Sequence, residues 1–318
     1  MLQDTEAISL RVSLTERCQL RCQYCRPAGA CPPPGSPLPA ATWLQRIEAI
    51  SGAVTVSKLR FTGGEPLLYP QLEDLVAGCA SLGIPDLAMT TNGIGLARRT
   101  EALRRGGLCR INVSLDCLDP RIYRRMTGGT LYPVLAGIAA AKRAGFEIKL
   151  NVVAMRGIND GTLFDLLAFA SRQQASLRFL ELMPIGAGAG RFDKHFIPGE
   201  EMMARIGQRL DLEALPYHPG ETSRDFRVRW PDGRESICGF IMPTSTPFCD
   251  GCRRLRLCAD GELVGCLAQP DRVKLNGAFD SALDGNYGPL RQGIRDALAI
   301  KSRPQRFREQ HAMVNIGG

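Results

Sequence analysis

Cys18, Cys22 and Cys25 stand in C-x3-C-x2-C spacing, which lets three thiolates converge on one short loop. A structural zinc ion asks for four protein ligands, and the next cysteine, Cys31, lies across a Pro-rich turn. A 4Fe-4S cube can instead keep three cysteines and leave one iron open to a small molecule. A zinc knob or unpaired core thiols are the alternatives. A second set, Cys249, Cys252 and Cys266, has C-x2-C-x13-C spacing, and none of the three histidines, His195, His218 and His311, is close to it in sequence. Cys258 has the spacing to complete a four-thiolate zinc site there, so that reading stays open. Arg253, Arg254 and Arg256 follow the C-x2-C directly. On a strand the period of two puts Arg254 and Arg256 on one face, where two guanidiniums suit a polyphosphate; a solvated basic strand is the plainer account.

These residues need elements to hold them. Ile8-Leu14, Lys58-Thr62, Leu87-Thr91, Arg110-Leu115, Glu147-Val153 and Leu177-Leu182 are short β-branched or apolar runs that read as strands. Between them Ala41-Ser51, Gln71-Leu82, Ala97-Gly106, Tyr132-Ala144 and Thr162-Gln173 carry apolar residues at helical spacing. Such alternation predicts a parallel sheet with crossover helices, and six units predict an α/β fold of the partial (β/α)6 TIM-type barrel kind. The first cysteine set then falls in the loop after strand one, at the end of the barrel where chemistry is done. Thr62-Gly63-Gly64-Glu65-Pro66 closes strand two in the same way. After about residue 215 two hairpins are expected, Phe226-Trp230 with Ser236-Met242 and Arg254-Cys258 with Leu263-Cys266. The predicted organisation is a barrel over 1–215 and a smaller cysteine-bearing region over 216–318. Ala28-Pro39 reads as a surface loop.

Composition narrows the class. The chain has 318 residues, 44% hydrophobic and 23% charged, which excludes a disordered, collagenous or coiled-coil protein. Its net charge of +8 fits an anionic ligand and also weak attraction to nucleic acid. No apolar run reaches the roughly 18 residues needed to span a bilayer, and the opening MLQDTEAISL has no apolar signal core. A cytoplasmic protein with no membrane partner is expected, its twelve cysteines reduced, buried or metal-bound.

The first triad with Tyr24 between its last two cysteines, placed after strand one and followed by the Gly-Gly-Glu-Pro turn, resembles the radical S-adenosylmethionine (SAM) superfamily. That resemblance implies a 4Fe-4S cluster on Cys18, Cys22 and Cys25 whose open iron chelates SAM. It also implies reductive cleavage of SAM to a 5′-deoxyadenosyl radical. Over nearly its whole length the chain further resembles the GTP 3′,8-cyclase family of molybdenum cofactor biosynthesis. The landmarks are Arg11-x6-Cys18-x3-Cys22-x-Tyr-Cys25, Arg60-Phe-Thr-Gly-Gly64-Glu-Pro, Thr90-Thr-Asn-Gly93, Asn112-Val-Ser114-Leu-Asp, Lys149-Leu-Asn-Val-Val, Glu181-Leu-Met183-Pro, Cys249-x2-Cys252-x-Arg254-x-Arg256, Cys266 and a terminal Gly317-Gly318. The residue after Cys25 is Arg26, where that family commonly has Met, and the lead before Arg11 is short.

This second resemblance implies a further 4Fe-4S cluster on Cys249, Cys252 and Cys266 whose open iron binds guanine, with Cys258 left as a core thiol. By the same resemblance Tyr24, Gly64, Ser114 and Met183 contact SAM. Arg11, Arg60, Thr90, Lys149, Arg254, Leu255 and Arg256 contact GTP, and the Gly317-Gly318 tail supports catalysis from within the site. The implied lyase reaction removes the ribose C3′ hydrogen of GTP, joins C3′ to C8 of guanine, reduces the resulting radical by one electron with uptake of a proton and yields 3′,8-cyclo-7,8-dihydro-GTP, with no side-chain acid or base assigned. Implied partners are a reductant or electron donor and the next, pterin-forming enzyme by hand-off; a homodimer is a candidate assembly and nucleic acid is not a partner. A radical SAM peptide-modifying enzyme is the competing enzymatic reading. A zinc-ribbon nucleic-acid-binding protein is the non-enzymatic one, and it leaves the first triad unexplained.

Overall fold

The computed structural model describes residues 7–25 and 36–302. Six parallel strands follow one another, β1 (Ile8–Ser13), β2 (Val56–Thr62), β3 (Leu87–Thr91), β4 (Arg110–Ser114), β5 (Glu147–Ala154) and β6 (Ser176–Glu181). The crossovers are α1 (Ala40–Ala53), α2 (Leu72–Ser81), α3 (Leu96–Arg105), α4 (Pro120–Thr127) with α5 (Tyr132–Arg143), and α6 (Leu163–Arg172). This is the partial (β/α)6 barrel that the alternation predicts, with strand and helix ends shifted by one or two residues.

Alternation along each strand explains how the barrel sorts its residues. Leu10 and Val12 of β1, Leu59 and Phe61 of β2, Leu150 and Val152 of β5 and Leu177 and Phe179 of β6 are fully buried in one core with Trp43, Ile47 and Ile50 of α1, Leu72 of α2 and Leu166 of α6. With a side-chain period of two, Ser9, Arg11 and Ser13 then face the other side of the sheet, as do Arg60, Lys149 and Arg178 on their strands. Polar and cationic residues are thereby forced into the concave interior.

The rest of the chain is woven into the same sheet. After α7 (Phe192–His195) and α8 (Gly199–Gly207) come β7 (Asp211–Ala214), β8 (Arg224–Arg229) and β9 (Glu235–Ile241), then β10 (Arg254–Leu257), β11 (Glu262–Val264) and β12 (Arg272–Lys274), with α9 (Asn276–Leu283) and α10 (Gly288–Ala299) last. β9 lies parallel to β6 and β10 parallel to β1. The twelve strands run in the order β12-β11-β10-β1-β2-β3-β4-β5-β6-β9-β8-β7. The two expected hairpins, β8 with β9 and β10 with β11, thus flank the six strands on opposite sides. No helix among the described residues is long and apolar enough to cross a membrane.

Sequence periodicity misses α4, because a helix of eight residues offers few apolar positions. Local signals do define it. Asp119 caps it by accepting the amides of Arg121 (2.7 Å) and Ile122 (3.0 Å), Pro120 opens it, and Gly128 at φ 71° ends it. Of the expected surface loop Ala28-Pro39, residues 28–35 lie outside the described residues; Ser36–Pro39 carry no helix or strand.

Candidate active site

The first triad sits on a loop pinned from three sides. Backbone amides of Gly64 and Glu65 donate to Thr15 O (2.6 Å) and Arg17 O (2.8 Å), tying the loop after β1 to the turn after β2. A Cβ on Gly64 would lie 2.4 Å from Arg17 O and 2.7 Å from Glu16 O, so only glycine allows this approach. On the other side Arg21 and Gln23 donate their amides to Thr127 O (2.8 Å) and Met126 O (2.9 Å) of α4. Below, Tyr24 gives its hydroxyl hydrogen to Asp116 Oδ2 at 2.7 Å, while Asp116 Oδ1 accepts the Val153 amide at 2.9 Å. Burial pushes the Asp116 carboxyl up to about 6 despite these donors.

The thiols of this loop feel one another. Burial raises the Cys22 thiol well above its ordinary value, and Asp116, Cys25 and Cys18 raise it further. Three such thiols become stable thiolates when a metal centre absorbs their charge. Asn92 points its Nδ2 at Cys18 Sγ (3.8 Å). The Asn92 amide is in turn held by Glu65 Oε2 at 2.7 Å, and Thr91 Oγ1 donates to Glu65 Oε1 at 2.6 Å.

The second triad lies at the other end of the barrel. Ser9 pairs with Arg254, so Cys252, just before β10, is level with the start of β1, whereas Cys18 follows its end. The six residues of β1 span about 20 Å between the two ends at roughly 3.3 Å per residue. Burial raises the Cys249 thiol, and Cys266 and Cys252 add to it. Burial works the same way on Cys252, but Arg254 and Lys301 outweigh it and hold that thiol below its usual value.

Cys258 stands apart. It is buried with Val264 against Leu267, and burial pushes its thiol up to about 12. Among the described residues no three or more His, Cys, Asp or Glu side chains are arranged to hold a metal ion. Each triad brings three thiols close enough to raise one another, Cys22 with Cys18 and Cys25, and Cys249 with Cys252 and Cys266, a donor set that fits a cube with an open iron.

Between the triads lies a row of cations. Arg11 is in register with Arg60 on one side and Arg256 on the other, so three guanidiniums share one level and one face of β10, β1 and β2. Burial pulls the Arg11 guanidinium well below its ordinary value, and Arg256, Arg60 and Arg254 pull it further. Burial likewise brings Arg60 down to about 10, assisted by Arg110 and Arg178. Concentrated buried cations of this kind mark a place for a polyanion. Arg254 stacks over the Phe248 ring at 4.9 Å and donates to Gly220 O at 3.1 Å. Leu255, its neighbour, is fully buried on the opposite face, so its side chain points away and its backbone is what faces the interior.

The remaining sequence-predicted residues fall into the same two groups. Gly64, Ser114 and Met183 follow or end β2, β4 and β6, at the rim that carries the first triad. Tyr24 packs there against Met126, Met155 and Leu182. Thr90, Asn112 and Lys149 are paired across β3, β4 and β5. Lys149 reaches inward but is also ion-paired with Glu147 at 3.0 Å. Gly317 and Gly318 lie outside the described residues.

Sequence reasoning overlooked Arg178, Asn151 and Asp225. Asn151, Arg178, Gly239 and Asp225 form a register row across β5, β6, β9 and β8, and Arg178 meets Asp225 at 3.6 Å. Gly239 leaves that row its space, because a Cβ there would stand 2.3 Å from Asp225 Oδ1. Arg178 Nε, Asn151 Oδ1 and Asp225 Oδ1 are buried without a hydrogen-bond partner, as is Arg60 Nε. A signal existed: Arg178 stands at an inward position between Leu177 and Phe179, both fully buried.

Comparison with known proteins agrees with this geometry. The model of the radical SAM superfamily matches residues 12–170, and that described as Molybdenum Cofactor Synthesis C matches residues 175–307. The GTP 3′,8-cyclase of Moorella thermoacetica is 37% identical over 97% of both chains. That of Acidothermus cellulolyticus is 44% identical over 81% of this chain and 73% of its own. Among solved structures, Streptococcus suis SuiB bound to precursor peptide SuiA superposes with a TM-score of 0.66, covering 96% of this chain and 76% of that one at 16% identity. At that identity the likeness is one of fold.

Proposed function

This chain belongs to the GTP 3′,8-cyclase family of the radical SAM superfamily, and we propose that it converts GTP to 3′,8-cyclo-7,8-dihydro-GTP, the first step of molybdenum cofactor biosynthesis. The observation that carries the reading is the arginine row, Arg256–Arg11–Arg60, lying between two three-thiol sets at opposite ends of the barrel. Cys18, Cys22 and Cys25 would hold the SAM-binding 4Fe-4S cluster, and Cys249, Cys252 and Cys266 a second one that receives guanine. Held there, the first cluster would supply the one-electron reduction of SAM and thereby the radical chemistry needed at the ribose C3′.

The chain's own residues bind and orient. Arg11, Arg60 and Arg256, supplemented by Arg178 and Lys149, offset the charge of the triphosphate, and Arg254 and Arg256 set the nucleotide beside the second triad. Tyr24, Gly64, Ser114 and Met183 line the SAM rim. Met126, Met155 and Leu182 keep that rim dry, which protects a radical from water. No side chain is needed as acid or base at the ribose carbon. Cytoplasmic location, hand-off of the product to the pterin-forming enzyme and a homodimeric assembly belong to the same proposal.

Anaerobic reconstitution followed by incubation with GTP, SAM and dithionite tests it. About eight iron per chain and formation of the cyclised nucleotide are expected. Stoichiometric zinc, or deoxyadenosine without cyclised GTP, overturns the reading.

A further inference from the structure

We infer that the exposed face of α4 is the docking surface for an acidic, low-potential one-electron carrier protein that reduces the first cluster. The inference rests on Cys18, Cys22 and Cys25 holding that cluster. Helix α4 buries Tyr123, Met126 and Thr127, and turns Arg121, Arg124 and Arg125 to solvent at i, i+3 and i+4. Arg121 is 95% exposed, and its nearest acid is Asp119 at 4.0 Å. Arg21, exposed on the cysteine loop itself, adjoins the end of the helix: its Cβ stands 3.7 Å from where a Cβ on Gly128 would be.

Four guanidiniums from two elements thus form one basic face. The favourable interaction of cations with a helix C-terminus accounts for Arg124 and Arg125 alone, and leaves Arg21 and Arg121 over. The face also stands directly on the loop that needs the electron. Gln23, between Cys22 and Tyr24, donates its side-chain amide to Arg125 O at 2.7 Å and its backbone amide to Met126 O at 2.9 Å. One layer of hydrogen-bonded chain therefore separates the guanidinium surface from the cysteine set. The electron passes from the reduced carrier to the oxidised cluster; the carrier is oxidised by one electron, the cluster is reduced by one, and no bond or proton moves. A carrier meeting four cations gains on-rate from an acidic face, and that gain is lost in salt.

The test uses the reconstituted full chain and the variant R121E/R124E/R125E, with reduction of the first cluster followed by its electron paramagnetic resonance signal. The probe carrier is a reduced acidic plant-type 2Fe-2S ferredoxin, and dithionite is the small-molecule control. Expected is a fall of about tenfold or more in the ferredoxin rate at low salt, with the dithionite rate unchanged and the wild-type advantage vanishing at high salt. R121Q/R124Q/R125Q should lie between. Equal ferredoxin rates in variant and wild type overturn the inference. So does an equal loss with dithionite, which would make α4 structural. Failure to cyclise GTP with dithionite in the wild type overturns the cyclase reading and leaves this rate comparison intact.

Discussion

Lys301 Nζ stands 3.4 Å from Cys252 Sγ and also donates to Gly265 O, so the 3-10 turn Ile300–Ser302 that follows α10 is fastened to the second triad by a cation. A positive charge this close favours whichever cluster state carries more negative charge, the reduced one. Lys301→Met is expected to shift the midpoint potential of the second cluster by tens of millivolts to more negative values, and Lys301→Arg to restore most of it. A redox titration followed by electron paramagnetic resonance checks this. A potential unchanged in Lys301→Met would remove Lys301 from the cluster's surroundings.

Glu65 titrates against the fold. Burial pushes its carboxyl up to about 7, even though Thr91 Oγ1, the Asn92 amide and the Leu67 amide donate to it. The folded value lies above the unfolded one, so its contribution to stability is fully present below about 4.5 and is lost as pH rises through 7. A shift of that size corresponds to about 3 kcal/mol. The stability of the wild-type apoprotein minus that of Glu65→Gln should therefore fall by about that amount between pH 4.5 and 8, measured by urea denaturation. A difference that stays constant with pH would refute the assignment.

Much of this could be read from the chain because the information is local. The period of two on β1, β2 and β5 announces which residues face inward, and the cysteine spacings announce which thiols can meet. What stayed hidden depends on pairing over long sequence distances. Nothing local to Arg254 states that it will lie beside Ser9, which is what brings Arg256 level with Arg11. Arg178 is legible as an inward charge, but its neighbours are not: β9 supplies Gly239 and β8 supplies Asp225. Asp116 likewise reads in sequence as a residue after a strand, and acquires its role from Tyr24, ninety-two residues earlier.

Gly64 tests how tightly the two loops must meet. Alanine there would drive its Cβ against Arg17 O and Glu16 O, backbone atoms with no rotamer to swing aside. The variant is expected to lose about 1–3 kcal/mol of stability. It should also hold about four fewer iron per chain, because the displaced residues lead directly into Cys18. Denaturation and iron analysis of the reconstituted variant check both. Wild-type iron content and stability together would show that the loops tolerate a wider gap.

Cys258 and Cys266 differ by environment, although both follow strands of one hairpin. Cys266 adds to the charge felt by Cys249, whereas Cys258 packs with Val264 and gives its backbone amide to Glu262 O at 2.9 Å. Burial pushes the Cys258 thiol up to about 12, and it is Val264 and Leu267, apolar side chains, that surround it. Cys258→Ala should thus keep about eight iron per chain, and Cys266→Ala about four. The Cys258→Ala change removes one small buried sulfur and should cost about 1 kcal/mol. Loss of iron from Cys258→Ala equal to that from Cys266→Ala would make Cys258 a fourth ligand. The second centre would then be closed, with no open position for guanine.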